Sequence, residues 1–156
     1  MLVTSRLDYC SSLFSGVSRQ NMIRLQRVQN RAARIVSRSS PTDHISPLLM
    51  ELHWLPCECR ILFRNLVFVW RCLNSLAPSY LRDMLNIYVP SRCLRSSSDA
   101  LRLSIMPSHR KIGESSFSIF ASIHWNTLPF NIRNSPNLNV FKRHLKTHLF
   151  SLHLSN

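Results

Sequence analysis

The sequence predicts a mainly α-helical fold, and three observations carry that expectation. Apolar residues recur at intervals of three and four through most of the 156-residue chain, and prolines punctuate those runs. Only one stretch, Leu101-Arg102-Leu103-Ser104-Ile105, alternates with a period of two. The expected architecture is a small helical domain over 41–156 with an N-terminal helical arm over 1–40, and one short strand or hairpin near residues 100–112. Hydrophobic residues at 45% are enough for a real core and exclude wholesale disorder.

Taken in order, Val3, Leu7, Cys10 and Phe14 follow helical spacing with no capping residue before them, as if a helix were entered midway. Gly16 ends that run, and Ser18 can cap a second helix reaching about Ser37. Ser39-Ser40-Pro41-Thr42 breaks the pattern as a candidate hinge. Ser46-Pro47 opens a short helix through Leu48, Leu49 and Leu52, closed before Pro56. A longer helix runs from about Cys57 to Asn74. Its apolar positions Leu62, Phe63, Leu66, Val67, Val69, Trp70 and Leu73 cover more than half its circumference, which marks it as central and buried. Pro78 starts a short helix through Tyr80, Leu81, Met84 and Leu85. Helical spacing resumes at Phe117, Phe120, Ala121, His124 and Trp125 and stops at Pro129. Ser135-Pro136 announces a last helix with Val140, Phe141, Leu145 and Leu149 inward and Lys142, Arg143 and Lys146 outward.

The second helix holds the main functional clue. Arg24, Arg27, Arg31, Arg34 and Arg38 are spaced 3,4,3,4, and no acidic residue lies between Asp8 and Asp43. At about 100° per residue they share an arc of roughly 80°. A second stripe of Leu25, Val28, Ala32 and Ile35 lies about 100° around the cylinder and is the expected docking side. Ordinary solvated faces mix signs, because like charges at i,i+4 repel. With 20 Lys and Arg against 7 Asp and Glu, the formal net charge is +13, an imbalance that answers to an anionic partner. The arginine skew suits forked contacts to phosphate. The stripe is about 21 Å long at about 1.5 Å per residue, enough to follow several phosphates. A tolerated surface and docking on an acidic protein are the alternatives.

Other chemistry is thinly supported. Two glycines leave no glycine-rich phosphate loop, and five cysteines at no framework spacing point to reduced thiols. Cys57-Glu58-Cys59 near His53, and His144 with His148, lack paired zinc-ligand spacing, so no metal and no cofactor is expected. No catalytic residue is expected either, since no acidic pair or nucleophile elbow exists. Trp54, Trp70 and Trp125 could stack on bases, but each sits in an apolar setting that favours the core. The run Ile61 to Leu73 is broken by Arg64 and Arg71 and is too short for a bilayer, and no secretory signal is visible.

Six separated segments then agree in order with one family. They are Ser5-Arg6-Leu7-Asp8-Tyr9-Cys10; Leu25-Gln26-Arg27-Val28-Gln29-Asn30 through Ala32-Ala33-Arg34; Leu52-His53-Trp54-Leu55-Pro56; Leu76-Ala77-Pro78-Ser79-Tyr80-Leu81; Trp125-Asn126-Thr127-Leu128-Pro129; and Phe141-Lys142 through Leu145-Lys146-Thr147-His148-Leu149-Phe150. Together they resemble the C-terminal end of the second reading frame of LINE-type (non-LTR, jockey-like) retrotransposons. The resemblance implies a segment following a reverse transcriptase, with the arm connecting to the polymerase thumb and truncated at its start. It implies a noncatalytic tail: polymerases of this family use Tyr-x-Asp-Asp, and Asp8, Asp43, Asp83 and Asp99 are isolated here. Cysteines at 57 and 59 depart from the family's usual residues. The implied partners are element RNA or target DNA and the polymerase domain; by charge and spacing, the residues expected to meet the nucleic acid are Arg24, Arg27, Arg31, Arg34 and Arg38, with Lys142, Arg143 and Lys146 second. The odd count of five cysteines points to an intracellular location, nuclear or cytoplasmic. A module that only packs on the polymerase, and a nonfunctional transposon remnant, are the alternatives.

Overall fold

The computed structural model describes Tyr9 and residues 16–89, 101–105 and 116–154. Among these residues the chain is mainly helical. The helices are α1 (Arg19–Ser37), α2 (Ile45–Glu51), α3 (Cys57–Leu73), α4 (Ser79–Asp83), α5 (Phe117–Thr127), α6 (Phe130–Arg133) and α7 (Leu138–Leu154). Among the described residues extended backbone is paired at one isolated antiparallel bridge, Ile87 to Leu103, so the described part of the alternating stretch makes a minimal contact rather than a sheet strand. The expected helix through Val3, Leu7, Cys10 and Phe14, and residues 100 and 106–112 of the expected hairpin, lie outside the described residues. The chain divides into two compact units, Met1–Arg64 with Lys146–Asn156, and Asn65–Leu145. The boundary expected near residue 40 falls inside the first unit.

Helix starts follow local chemistry. The Ser18 hydroxyl accepts from the Asn21 N–H at 3.4 Å and caps α1, while Asn137 Oδ1 accepts from the Val140 N–H at 2.9 Å and caps α7. Pro78 and Pro129 stand at the N-cap positions of α4 and α6, each with φ near the value its ring imposes. Pro129 thus stops α5 and starts α6, a four-residue helix not expected from the sequence.

Three helix ends share one motif. Arg38, His53 and Ser75 have φ of 51°, 54° and 58°, the left-handed region usually given to glycine. Each donates its N–H to the carbonyl three residues back, to Ile35, Met50 and Cys72. The next residue in each case reaches five back: Ser39 to Arg34, Trp54 to Leu49, and Leu76 to Arg71. This double bond pattern is the Schellman closure, and it satisfies carbonyls that would otherwise be orphaned.

In the first unit, Ala33, Leu49 and Trp54 form a buried cluster with Ala32, Ile45 and Leu52 against it. Leu49 and Trp54 are also the two ends of the long Schellman bond, so the motif and the core fix each other. In the second unit, Trp125 is fully buried with its ring centroid 5.8 Å from Phe141, which lies 5.9 Å from Trp70. Such offset ring packing adds to area burial. The Trp125 indole N–H donates to the Leu101 carbonyl at 2.7 Å, which meets the polar requirement of a buried indole. Asn126 clamps Leu103 from both sides, accepting from its N–H at 2.9 Å and donating to its carbonyl at 2.8 Å.

Candidate nucleic-acid interface

The face by which α1 docks differs from the expected one. Its fully buried residues are Gln29 and Ala33; of the expected apolar stripe, Leu25 and Ala32 are half-buried, with Ala32 packed on the Ala33–Leu49–Trp54 cluster, while Val28 and Ile35 are 58% and 77% exposed. The reason is polar. Gln29 donates to the Leu55 carbonyl at 2.8 Å and accepts from the Cys57 thiol at 3.2 Å. Gln26 accepts from the Cys57 backbone N–H at 2.8 Å and is held in place by donating to Asn30 Oδ1. Cys57 opens α3, so its N–H is one of the four first-turn donors that no helix can satisfy internally. A hydrocarbon stripe could not supply these partners; two glutamines at i,i+3 can. Ala33, with no side chain beyond Cβ, lets Leu49 and Trp54 approach the same face.

Burial pushes the Cys57 thiol up to about 11, with Arg60 opposing and too weak to offset it. The sulfur is therefore protonated and acts as the donor to Gln29. Cys59 is raised by burial and by the Glu58 carboxylate, and its thiol points to the Leu149 carbonyl at 4.0 Å. These two thiols are structural donors. Among the described residues no group of three or more His, Cys, Asp or Glu side chains could hold a metal ion.

With the seam centred on Gln29 and Ala33, the arginine stripe lies roughly 160° around α1, nearly diametrically outward. Arg24, Arg27, Arg31 and Arg38 are exposed. Among the described residues none of these four guanidinium groups is engaged by a carboxylate, and α1 has no acidic residue. Arg34 differs: it is half-buried, and its Nη2 donates to the Asp43 carbonyl at 3.1 Å. Its Nε–H is buried without an acceptor among the described residues.

The expected hinge after α1 is a knit turn. Ser40 donates its N–H to Asp43 Oδ2 at 2.8 Å, the Ser40 and Thr42 hydroxyls pair at 2.9 Å, and the Asp43 N–H returns to the Ser40 carbonyl. This turn and the end of α1 border an open cleft of about 510 Å³, lined by Arg31, Arg34, Ile35, Arg38, Ser39 and Pro41. The spacing of arginines was legible in the sequence; the cleft, Ile35 and Pro41 as its walls were not, because they depend on how the turn folds back.

The second basic set is less concentrated. Lys142 and Arg143 are exposed on α7 and belong to the second unit, whereas Lys146 belongs to the first, with the stripe. Lys146 Nζ lies 6.0 Å from the Phe150 ring centroid, a cation–π distance that occupies part of its charge. Trp54, Trp70 and Trp125 are buried at 8%, 4% and 0% exposure and offer no ring face to a base. Among the described residues no helix is long and apolar enough to cross a membrane. Compared with known proteins, the chain matches no protein-family model, no curated protein and no solved structure.

Proposed function

We propose that the chain is a noncatalytic nucleic-acid-binding module, acting as the post-polymerase segment of a LINE-type retrotransposon protein inside the cell, in the nucleus or cytoplasm. It holds element RNA or target DNA by its phosphates while the polymerase domain acts. One observation carries this reading: four exposed guanidinium groups stand along one outward face of α1, on a helix without a single carboxylate. Like charges at i,i+4 cost a helix a few tenths of a kcal/mol per pair. An external polyanion converts that repulsion into attraction, and counterion release adds a salt-dependent driving force. Lys142, Arg143 and Lys146 serve as a second, weaker contact set on α7.

The test is binding of a 20-nucleotide RNA and its DNA duplex by the full chain as salt rises. Four neutralised duplex phosphates give a log–log slope of about −3.6, and a single strand gives about −2.8. Between 50 and 200 mM salt the duplex affinity then falls about 150-fold. Changing Arg24, Arg27, Arg31 and Arg38 together to Gln removes that share of the slope and leaves only what Lys142, Arg143 and Lys146 contribute. A quadruple variant with unchanged slope and affinity rejects the assigned face.

A second reading has its own observation. Val28 and Ile35 stand exposed beside the arginines, so a protein surface such as the polymerase domain could cover both. Co-purification with that domain, without nucleic-acid binding by this chain, would select it.

A further inference from the structure

The arginine face is not uniform along its length. At its N-terminal part Arg24 and Arg27 project from a convex helix surface, where only a passing phosphate can be met. At its C-terminal part Arg31, Arg34 and Arg38 line a cleft of about 510 Å³ with Ile35, Ser39 and Pro41. Volumes of roughly 300–1,000 Å³ suit small organic ligands of nucleotide size. The lining has two chemistries: three guanidinium groups, and the apolar surfaces of Ile35 and Pro41.

Three details show how the cleft is built. Arg38 takes the left-handed conformation at the C-cap of α1, closing the helix by bonds from Arg38 N–H and Ser39 N–H, so the chain turns sharply while its arginine stays with the other two. Arg34 is fixed by its bond to the Asp43 carbonyl, and its Nε–H has no acceptor among the described residues. The Asp43 carboxylate is the one acidic group in the turn, and it accepts the Ser40 N–H. Three positive charges against one negative leave the cleft cationic. Of the three, only Arg34 lies in the last turn of α1, where it complements about half a charge at the helix C-terminus.

We propose, building on the nucleic-acid reading above, that this cleft seats a single unpaired nucleotide. Its phosphate lies against Arg31, Arg34 and Arg38, and its base lies against Ile35 and Pro41. A duplex can present phosphates to the cleft but keeps its bases paired and stacked inside, so it cannot reach the apolar wall. The chain therefore prefers single strands, with Arg24 and Arg27 extending the contact to neighbouring phosphates.

The experiment is fluorescence-anisotropy titration of the full chain with a 12-nucleotide single-stranded RNA and a 12-base-pair duplex at one salt concentration. Ile35 is 77% exposed, so Ile35→Ser leaves folding intact. It lowers single-strand affinity about 5- to 10-fold through lost apolar contact and leaves duplex affinity unchanged. Adenosine 5′-monophosphate displaces the single strand at lower concentration than inorganic phosphate does. Equal binding of the two forms, an Ile35→Ser variant indistinguishable from the parent, or equal potency of the two competitors each overturns the cleft proposal. Arg24→Gln with Arg27→Gln, both outside the cleft, separates the two ideas. If that pair weakens binding while the cleft tests fail, the arginine face stands and the nucleotide seat falls. If no nucleic acid binds at all, both fall.

Discussion

Replacing Gln29 tests the polar seam most directly. The residue is fully buried, and its amide serves both the Leu55 carbonyl and the Cys57 thiol. Gln29→Ala strips the donor from a carbonyl whose own residue is 4% exposed. An unsatisfied buried group costs about 1–3 kcal/mol, and the lost methylene adds roughly 0.8 kcal/mol. The total of about 2–4 kcal/mol, with a urea m-value of about 2 kcal/mol/M, lowers the midpoint by about 1–2 M.

Gln29→Leu separates the two contributions, because it keeps most of the volume and removes only the hydrogen bonds. It costs about 1–3 kcal/mol, the unsatisfied carbonyl alone. Val28→Ala, one residue along and 58% exposed, stays within about 0.5 kcal/mol of the parent. Urea unfolding followed by far-ultraviolet circular dichroism reads all three. A neutral or stabilising Gln29→Leu, or a Val28→Ala as costly as Gln29→Ala, would refute the seam and restore the apolar stripe as the docking side.

Three further outcomes are expected. Asn126→Ala removes both bonds that hold Leu103 and costs about 2 kcal/mol; hydrogen exchange speeds up at Leu103 and at its bridge neighbours Tyr88 and Ser104, and uniform protection there would disprove the clamp. His53→Gly, at an exposed position with φ of 54°, relieves the left-handed penalty and raises stability by about 0.5–1 kcal/mol after the added unfolded-chain entropy, read as a higher urea midpoint. The Cys57 thiol sits at about 11 when folded against 9.0 for the free group, so its contribution is complete below pH 9 and is lost as pH rises toward 11. Thermal melts of the parent should therefore fall more steeply than those of Cys57→Ala across that window, and parallel slopes would contradict a buried protonated thiol.

The parts of this fold that local chemistry decides were legible in the sequence. Ser18 caps α1, Pro78 sets the start of α4, Pro129 follows the end of α5, and the period of Leu66, Val69 and Trp70 marks a buried helix; each needs only neighbours within a turn or two. The Schellman ends were hidden because the usual signal is glycine, and here Arg38, His53 and Ser75 take its place under tertiary support. Hydrophobicity placed Leu25 and Ala32 inward on α1 correctly but Val28 and Ile35 wrongly, for a different reason. What that side must satisfy is a carbonyl 26 residues away and a thiol 28 residues away, and a glutamine's value there is invisible until the partner is in position. The arginines are read from spacing alone, although Arg34 turns to the Asp43 carbonyl. A charged face needs no partner within the fold to be recognised, only the absence of one. Once the seam moves to Gln29 and Ala33, the guanidinium groups turn more fully outward than the apolar stripe had implied, and Val28 and Ile35 join them at the surface. The correction thus changes the character of the proposed interface. It is no longer a purely cationic rail but a mixed surface, and its aliphatic groups give the proposed interface something besides phosphate to meet.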